Sequence, residues 1–218
     1  MRAAECRTGE ALALALRDLY ENSWRLVPVN AVLGLALVAV GIAGYAVRAA
    51  LVLLPLVGPL VAALVHSAVR LVREGEVTLA DAAEGLRLHW RRGLALGAAG
   101  AGMLGLGVLA VRVYAGSRLW PLAFLTVYLL VLAGIYQVVL WTLAVAEPAR
   151  PLRVACREAA VLAARRPGAT LLLGLALLLV NLVGVAAAAM PFLTLTVAYS
   201  SVAAARFVLP RPTVGEPS

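Results

Sequence analysis

The chain has no lysine, and only two histidines, two aspartates and two cysteines in 218 residues. Charged residues make up 14% of it, against about a quarter in ordinary soluble domains. From 167 to 205 there is no charged residue at all, a gap of 39 residues. As one helix that gap would measure roughly 58 Å, about twice the ~30 Å hydrocarbon core of a bilayer. It is therefore expected to cross, turn near Met190-Pro191 and cross again. No polar stretch is long enough to bury a core of its own, which excludes a separate soluble domain.

The scarcity of reactive side chains excludes chemistry in the same way. His66 and His89 share no H-x-x-x-H or H-E-x-x-H spacing, and Asp18 and Asp81 are the only aspartates. There is no paired-carboxylate motif, P-loop or nucleophile elbow. The expectation is a protein that is not an enzyme and uses no metal and no cofactor. Cys6 and Cys156 form no C-x-x-C and fall in segments placed in the cytoplasm, so no disulfide is expected. About 26 mostly amphipathic residues precede the first long apolar run, which argues against a secretory signal.

What is present is apolar. Hydrophobic residues make up 63% of the chain and the mean hydropathy is +0.96. The pattern predicts an all-α, polytopic membrane helix bundle with six spans, at about 26–47, 49–69, 93–111, 119–146, 167–189 and 191–209. An interfacial helix over 1–25 and cytoplasmic helices over about 78–92 and 150–166 complete a single domain, 1–218. A net charge of +8 would point to nucleic acid in a soluble protein. Here it reads as topology. Sixteen of the 19 arginines fall on one side, and only Arg48, Arg112 and Arg118 on the other. That bias places both termini on the cytoplasmic side of a bacterial inner membrane and removes nucleic acid as a partner.

The cytoplasmic segments are amphipathic. Leu12, Leu16, Leu19, Tyr20 and Trp24 share one helical face. Thr78 and Asp81 have the spacing of an N-cap and its N3 acid, and Leu79, Ala82, Ala83, Leu86 and Trp90 follow as a stripe. Pro151 suits a first helical position, ahead of Leu152, Ala155, Ala159 and Leu162. Glu84, Arg91, Arg92 and Gly100 recur 74 residues later as Glu158, Arg165, Arg166 and Gly174. Two readings stay open: a parallel repeat, or recurrence by chance in an Ala/Leu/Arg-rich chain.

Several features in series carry a resemblance. They are Trp24 and Asn30, the run from Leu54-Pro55-Leu56 through Gly58-Pro59 to Leu64, and the basic–Gly–acid segment from Arg70 to Glu76. Over roughly residues 12 to 209 the chain resembles the YesL-type bacterial membrane proteins, a domain-of-unknown-function family. Its Phe-rich cytoplasmic helices are replaced here by Ala, Leu and Trp90. The resemblance implies an accessory role beside a carbohydrate-uptake system, with ABC transporter subunits as partners. It supplies no catalytic residue.

Three groups of residues are candidates for function. Gln137, Asn181, Tyr136, Thr142 and His66 are polar groups within the spans; they line a cavity for a small polar solute, or they bond helix to helix. Gly93, Gly97, Ala101 and Gly105 form a small-residue row that predicts close helix contact, inside the protomer or with a second copy. Arg91, Arg92, Arg165 and Arg166 lie where surface helices meet the bilayer and are candidate contacts for anionic lipid, or simple topology anchors. The corresponding functions are accessory or assembly protein, solute facilitator, and lipid-binding protein.

Overall fold

A computed structural model of the chain describes residues 8–46, 48–187 and 195–209, with backbone only at 48–51. The described residues form eight α-helices and one 3-10 helix, without a strand. In order these are α1 (Thr8–Glu21), α2 (Ser23–Ala46), a 3-10 helix (Arg48–Val57), α3 (Gly58–Glu74), α4 (Leu79–Ala115), α5 (Trp120–Ala146), α6 (Leu152–Arg165), α7 (Pro167–Ala186) and α8 (Val197–Val208). Five stretches are long and apolar enough to cross a bilayer: Ser23–Ala46, Val52–Glu74, Leu79–Ala115, Trp120–Ala146 and Pro167–Ala186. The protein is a multi-pass membrane helix bundle. The expected turn at Met190-Pro191 and the start of the sixth span lie outside the described residues. The described part of that span is the 12-residue α8.

Several expected boundaries are corrected. The surface helix over 78–92 and the span over 93–111 are one continuous helix of 37 residues, α4. It measures about 55 Å, some 25 Å more than the hydrocarbon core. Nothing at Arg91-Arg92 breaks the backbone ladder. The capping box is present: the Asp81 amide donates to Thr78 Oγ1 (3.3 Å) and the Thr78 amide to Asp81 Oδ2 (2.6 Å). The second span runs on to Glu74 and stops at Gly75, whose φ of 80° is left-handed and suits glycine. Its first part is 3-10 and becomes α-helical at Gly58-Pro59. Pro151 is the N-cap of α6, one position earlier than expected. The N-terminal helix ends at Glu21, so Ser23, Trp24 and Arg25 open α2.

The faces are corrected too, and for one reason. On α1 the buried residues are Thr8, Ala11, Ala15 and Leu19, while Leu16 (62%) and Tyr20 (84%) are exposed, as is Trp24 (66%) at the start of α2. On α4 the buried row is Asp81, Gly85, His89 and Gly93, while Leu79 and Trp90 are exposed. Small residues let helix backbones approach closely, so they take the contact face and the larger apolar side chains are left outside it. Helix α6 follows its expected stripe because that stripe already centres on alanine: Ala155 and Ala159 are buried.

The tightest contact is α3 on α4, antiparallel. A Cβ on Gly85 would meet His66 Cβ at 2.7 Å. One on Gly93 would meet Pro59 Cα at 2.8 Å, and one on Gly97 would meet Pro55 O at 2.9 Å. Around this pair α8 buries Ala198, Val202 and Ala203–Ala205, and α1 is tied to it by Tyr199 Oη donating to Leu12 O (3.2 Å) and by Arg206–Asp18 (2.7 Å). Helix α1 is thus a packed element of the bundle as well as an amphipathic one.

The small-residue row divides in two. Gly93 and Gly97 make the close approach inside the protomer, whereas nothing lies within 4 Å of a Cβ at Gly105. Gly97→Ala is expected to destabilise by about 1–3 kcal/mol through overpacking against backbone. Gly105→Ala is expected to be neutral or stabilising by up to about 1 kcal/mol through helix propensity. Unfolding midpoints in detergent check this; equal effects at the two positions would refute the division.

Candidate functional site

Two regions collect the residues able to do something specific: a polar end built from arginines, and open clefts between helices. At the polar end α5 stops at Ala146, and its last carbonyls have no partner within the helix. Arginines from two other helices supply the donors. Arg92 Nη1 donates to Ala144 O (2.9 Å) and Glu147 O (3.2 Å), and its Nη2 to Pro148 O and Arg150 O (both 2.5 Å). Arg73 Nη1 donates to Ala146 O (3.1 Å). A cation at a helix C-terminus also opposes the helix dipole. Arg150 pairs with Glu147 and with Glu158 (2.7 Å to Glu158), which leads the chain into α6.

Beside this clamp, Arg70 pairs with Glu74 (2.7 Å), Asp81 (2.9 Å) and Glu84 (3.2 Å). Arg25 Nη1 donates to Val77 O (2.7 Å) and so ties α2 to the α3–α4 turn. Below Arg70, His89 Nε2 and His66 Nδ1 face each other at 3.3 Å. Whichever ring donates, His66 Nε2 and His89 Nδ1 stay buried without a hydrogen-bond partner.

The five expected polar-cavity residues do not share a cavity. His66 meets His89 against Gly85. Thr142, 1% exposed, returns its hydroxyl to Val138 O (3.1 Å). Tyr136 Oη donates to Cys156 O (2.9 Å) and fastens α6 to α5. Asn181 Nδ2 donates to Leu177 O and to Ser200 Oγ (both 2.7 Å). Asn181 lines a cavity of about 380 Å³ between α5 and α7 whose wall is otherwise apolar apart from Ser200. Gln137 is not among its lining residues; it is half-buried, with Oε1 unpartnered. The reason is angular. Positions 134 and 138 of α5 face α7, and Gln137 is turned off that face by the 100° step per residue.

The four arginines proposed as lipid contacts also separate. Arg92 is occupied by protein carbonyls. Arg91 is exposed and stands 5.2 Å from the ring of Trp90. Arg165 lines a surface cavity of about 430 Å³, and Arg166 is exposed at the α6–α7 junction. The 74-residue correspondence is not kept in three dimensions. Gly100 has open space beside it and Gly174 packs on Ile135; α4 runs straight through Arg91-Arg92, while the chain breaks at Arg166.

Sequence reasoning missed His89, Arg73 and the Asp18–Arg206 pair. His89 was legible in part, since Asp81, Gly85, His89 and Gly93 form a small or polar row at intervals of four. The other two are long-range pairings that no local spacing encodes.

A cleft of about 610 Å³ lies between α2 and α4 at the opposite end of the bundle. Gly44, Leu54, Ala101, Leu104, Gly105, Val108 and Leu109 form its walls, with Tyr45 and Arg112 also lining it. Among the described residues no group of three or more His, Cys, Asp or Glu is placed to hold a metal. No family model, no curated protein and no solved structure matches the chain.

Removing Arg92 takes the side-chain donor from Ala144 O, in a buried residue, and breaks three further bonds to the turn that follows, whereas removing Arg91 frees only an aromatic stack. Arg92→Ala is expected to destabilise by roughly 2–3 kcal/mol and Arg91→Ala by less than about 1 kcal/mol. Denaturation in mixed micelles measures both, and similar losses would mean the clamp is dispensable.

Proposed function

We propose that this chain is a non-enzymatic assembly or accessory protein of a bacterial inner membrane, with both termini cytoplasmic. It docks against a membrane subunit of a solute-uptake system, and the YesL-type resemblance favours a carbohydrate transporter. The observation that carries the reading is the continuation of the small-residue row into open space. Gly93 and Gly97 are used inside the bundle, and Ala101 and Gly105 extend the same row into the α2–α4 cleft opposite Gly44. A cleft with glycine on two walls and leucines at its sides admits the backbone of another transmembrane helix. Leu104, Leu106 and Leu109, all at least half exposed, would cover that helix. The facilitator reading is less well supported, because Gln137 and Asn181 face different surroundings and the cavity beside Asn181 is otherwise nearly apolar.

Gentle extraction from native membranes through a C-terminal tag, followed by mass spectrometry, tests the proposal. Stoichiometric transporter subunits are expected with the native chain and with Gly105→Ala. They are expected to be lost with Gly105→Leu, which fills the cleft from a position where a Cβ meets nothing and should not lower the unfolding midpoint. Recovery of the chain alone or with a second copy of itself, or full recovery of partners with Gly105→Leu, would refute it.

A further inference from the structure

We propose that the outward face of α6 binds an anionic phospholipid of the surrounding bilayer. Helix α6 connects the end of one span, Ala146, to the start of the next, Pro167, which puts it at the level of the headgroups. It lies back along the last turns of α5. Ala155 and Ala159 pack on Val139, Leu140 and Ala144, and Tyr136 Oη holds Cys156 O. With its small residues turned inward, its arginines turn outward: Arg153, Arg157 and Arg165 are exposed, at intervals of four and eight that keep them on one face. Among the described residues none of these guanidiniums has a hydrogen bond or ion pair. By contrast Arg70, Arg73, Arg92, Arg150 and Arg206 are each held by named partners.

Arg157 and Arg165 line a cavity of about 430 Å³ together with Val154, Val161, Leu143 and Val208. Its one carboxylate, Glu158, is already held by Arg150 at 2.7 Å, so the uncompensated charge is positive. Val161 lies midway between the two arginines, and Val154 and Val161 are 38% and 41% exposed. Free guanidiniums beside an exposed apolar floor match a molecule with a phosphate at one end and methylenes next to it. A free phosphate would use the arginines and leave the valines in water. A phospholipid uses both, and the arginine stems add apolar contact of their own.

The test uses the full-length protein in mild detergent, equilibrated with equimolar phosphatidylglycerol and phosphatidylcholine, washed, and assayed for retained lipid by mass spectrometry. The native chain is expected to retain phosphatidylglycerol selectively. The R157Q/R165Q double variant is expected to lower that preference about thirtyfold. R112Q/R118Q, which removes the same charge at the other end of the bundle, is expected to leave it unchanged. Equal retention of the two lipids by the native chain, an unaltered preference in R157Q/R165Q, or an equal loss in R112Q/R118Q would overturn the proposal. Displacement of phosphatidylglycerol by millimolar inorganic phosphate would overturn it too, by making this a site for a soluble anion.

Discussion

The C-terminus of α5 is the point on which the polar end of this bundle is hung. A helix that stops leaves its last carbonyls without donors, and each one buried unpaired costs about 1–3 kcal/mol. Arg92 supplies the missing donor at Ala144 and Arg73 the one at Ala146, and Arg92 also bonds the carbonyls of Glu147, Pro148 and Arg150 in the turn that follows. Arginine suits the task because its planar fork offers several donors and cannot lose its charge. The clamp in turn depends on α4 running past the bilayer surface without a break, since only a continuous helix holds Arg92 opposite the end of α5. That helix starts where it does because Thr78 and Asp81 cap it, and Asp81 is gripped by Arg70 from α3. Cap, long helix, clamp and the Arg150 turn into α6 are successive links of one chain of dependence.

Membrane packing inverts the size rule that serves for water-soluble helices. Close contacts here are made by Gly85, Gly93 and Gly97 against His66, Pro59 and Pro55, while Leu104, Leu106 and Leu109 of the same helix look outward. Hydropathy therefore picked out the five long apolar helices, because it measures total apolarity. Amphipathic stripes located the buried faces badly wherever large residues defined them, as on α1 and the first turns of α4. On α6 the stripe and the packing agree because alanines supplied both.

The candidate site was legible to a smaller degree. That Gly93 and Gly97 mediate close approach follows from spacing alone; that the row then opens into a cleft at Gly105 does not, since it depends on where α2 lies. Gln137 and Asn181 are both deep in their spans, and depth is what a sequence reports. Their angular positions relative to other helices are set by tertiary packing, and those positions keep them apart. The same holds for the capping box at Thr78, legible because it is local, and for Asp18–Arg206, illegible because 188 residues separate the partners.

The two Arg-Arg dipeptides show how far residue type falls short of role. At 91–92 the helix continues, so the two side chains leave it about 100° apart. One meets the end of α5 and the other stands over Trp90. At 165–166 the helix ends, and among the described residues neither guanidinium has a hydrogen bond or ion pair. A guanidinium with carbonyls in reach satisfies them at low solvation cost, and one without must keep its charge in water or against an anion. The arginines of α6 belong to the second class because Ala155 and Ala159 take the face packed on α5 and turn Arg153, Arg157 and Arg165 outward. That orientation is what leaves positive charge available at the bilayer surface.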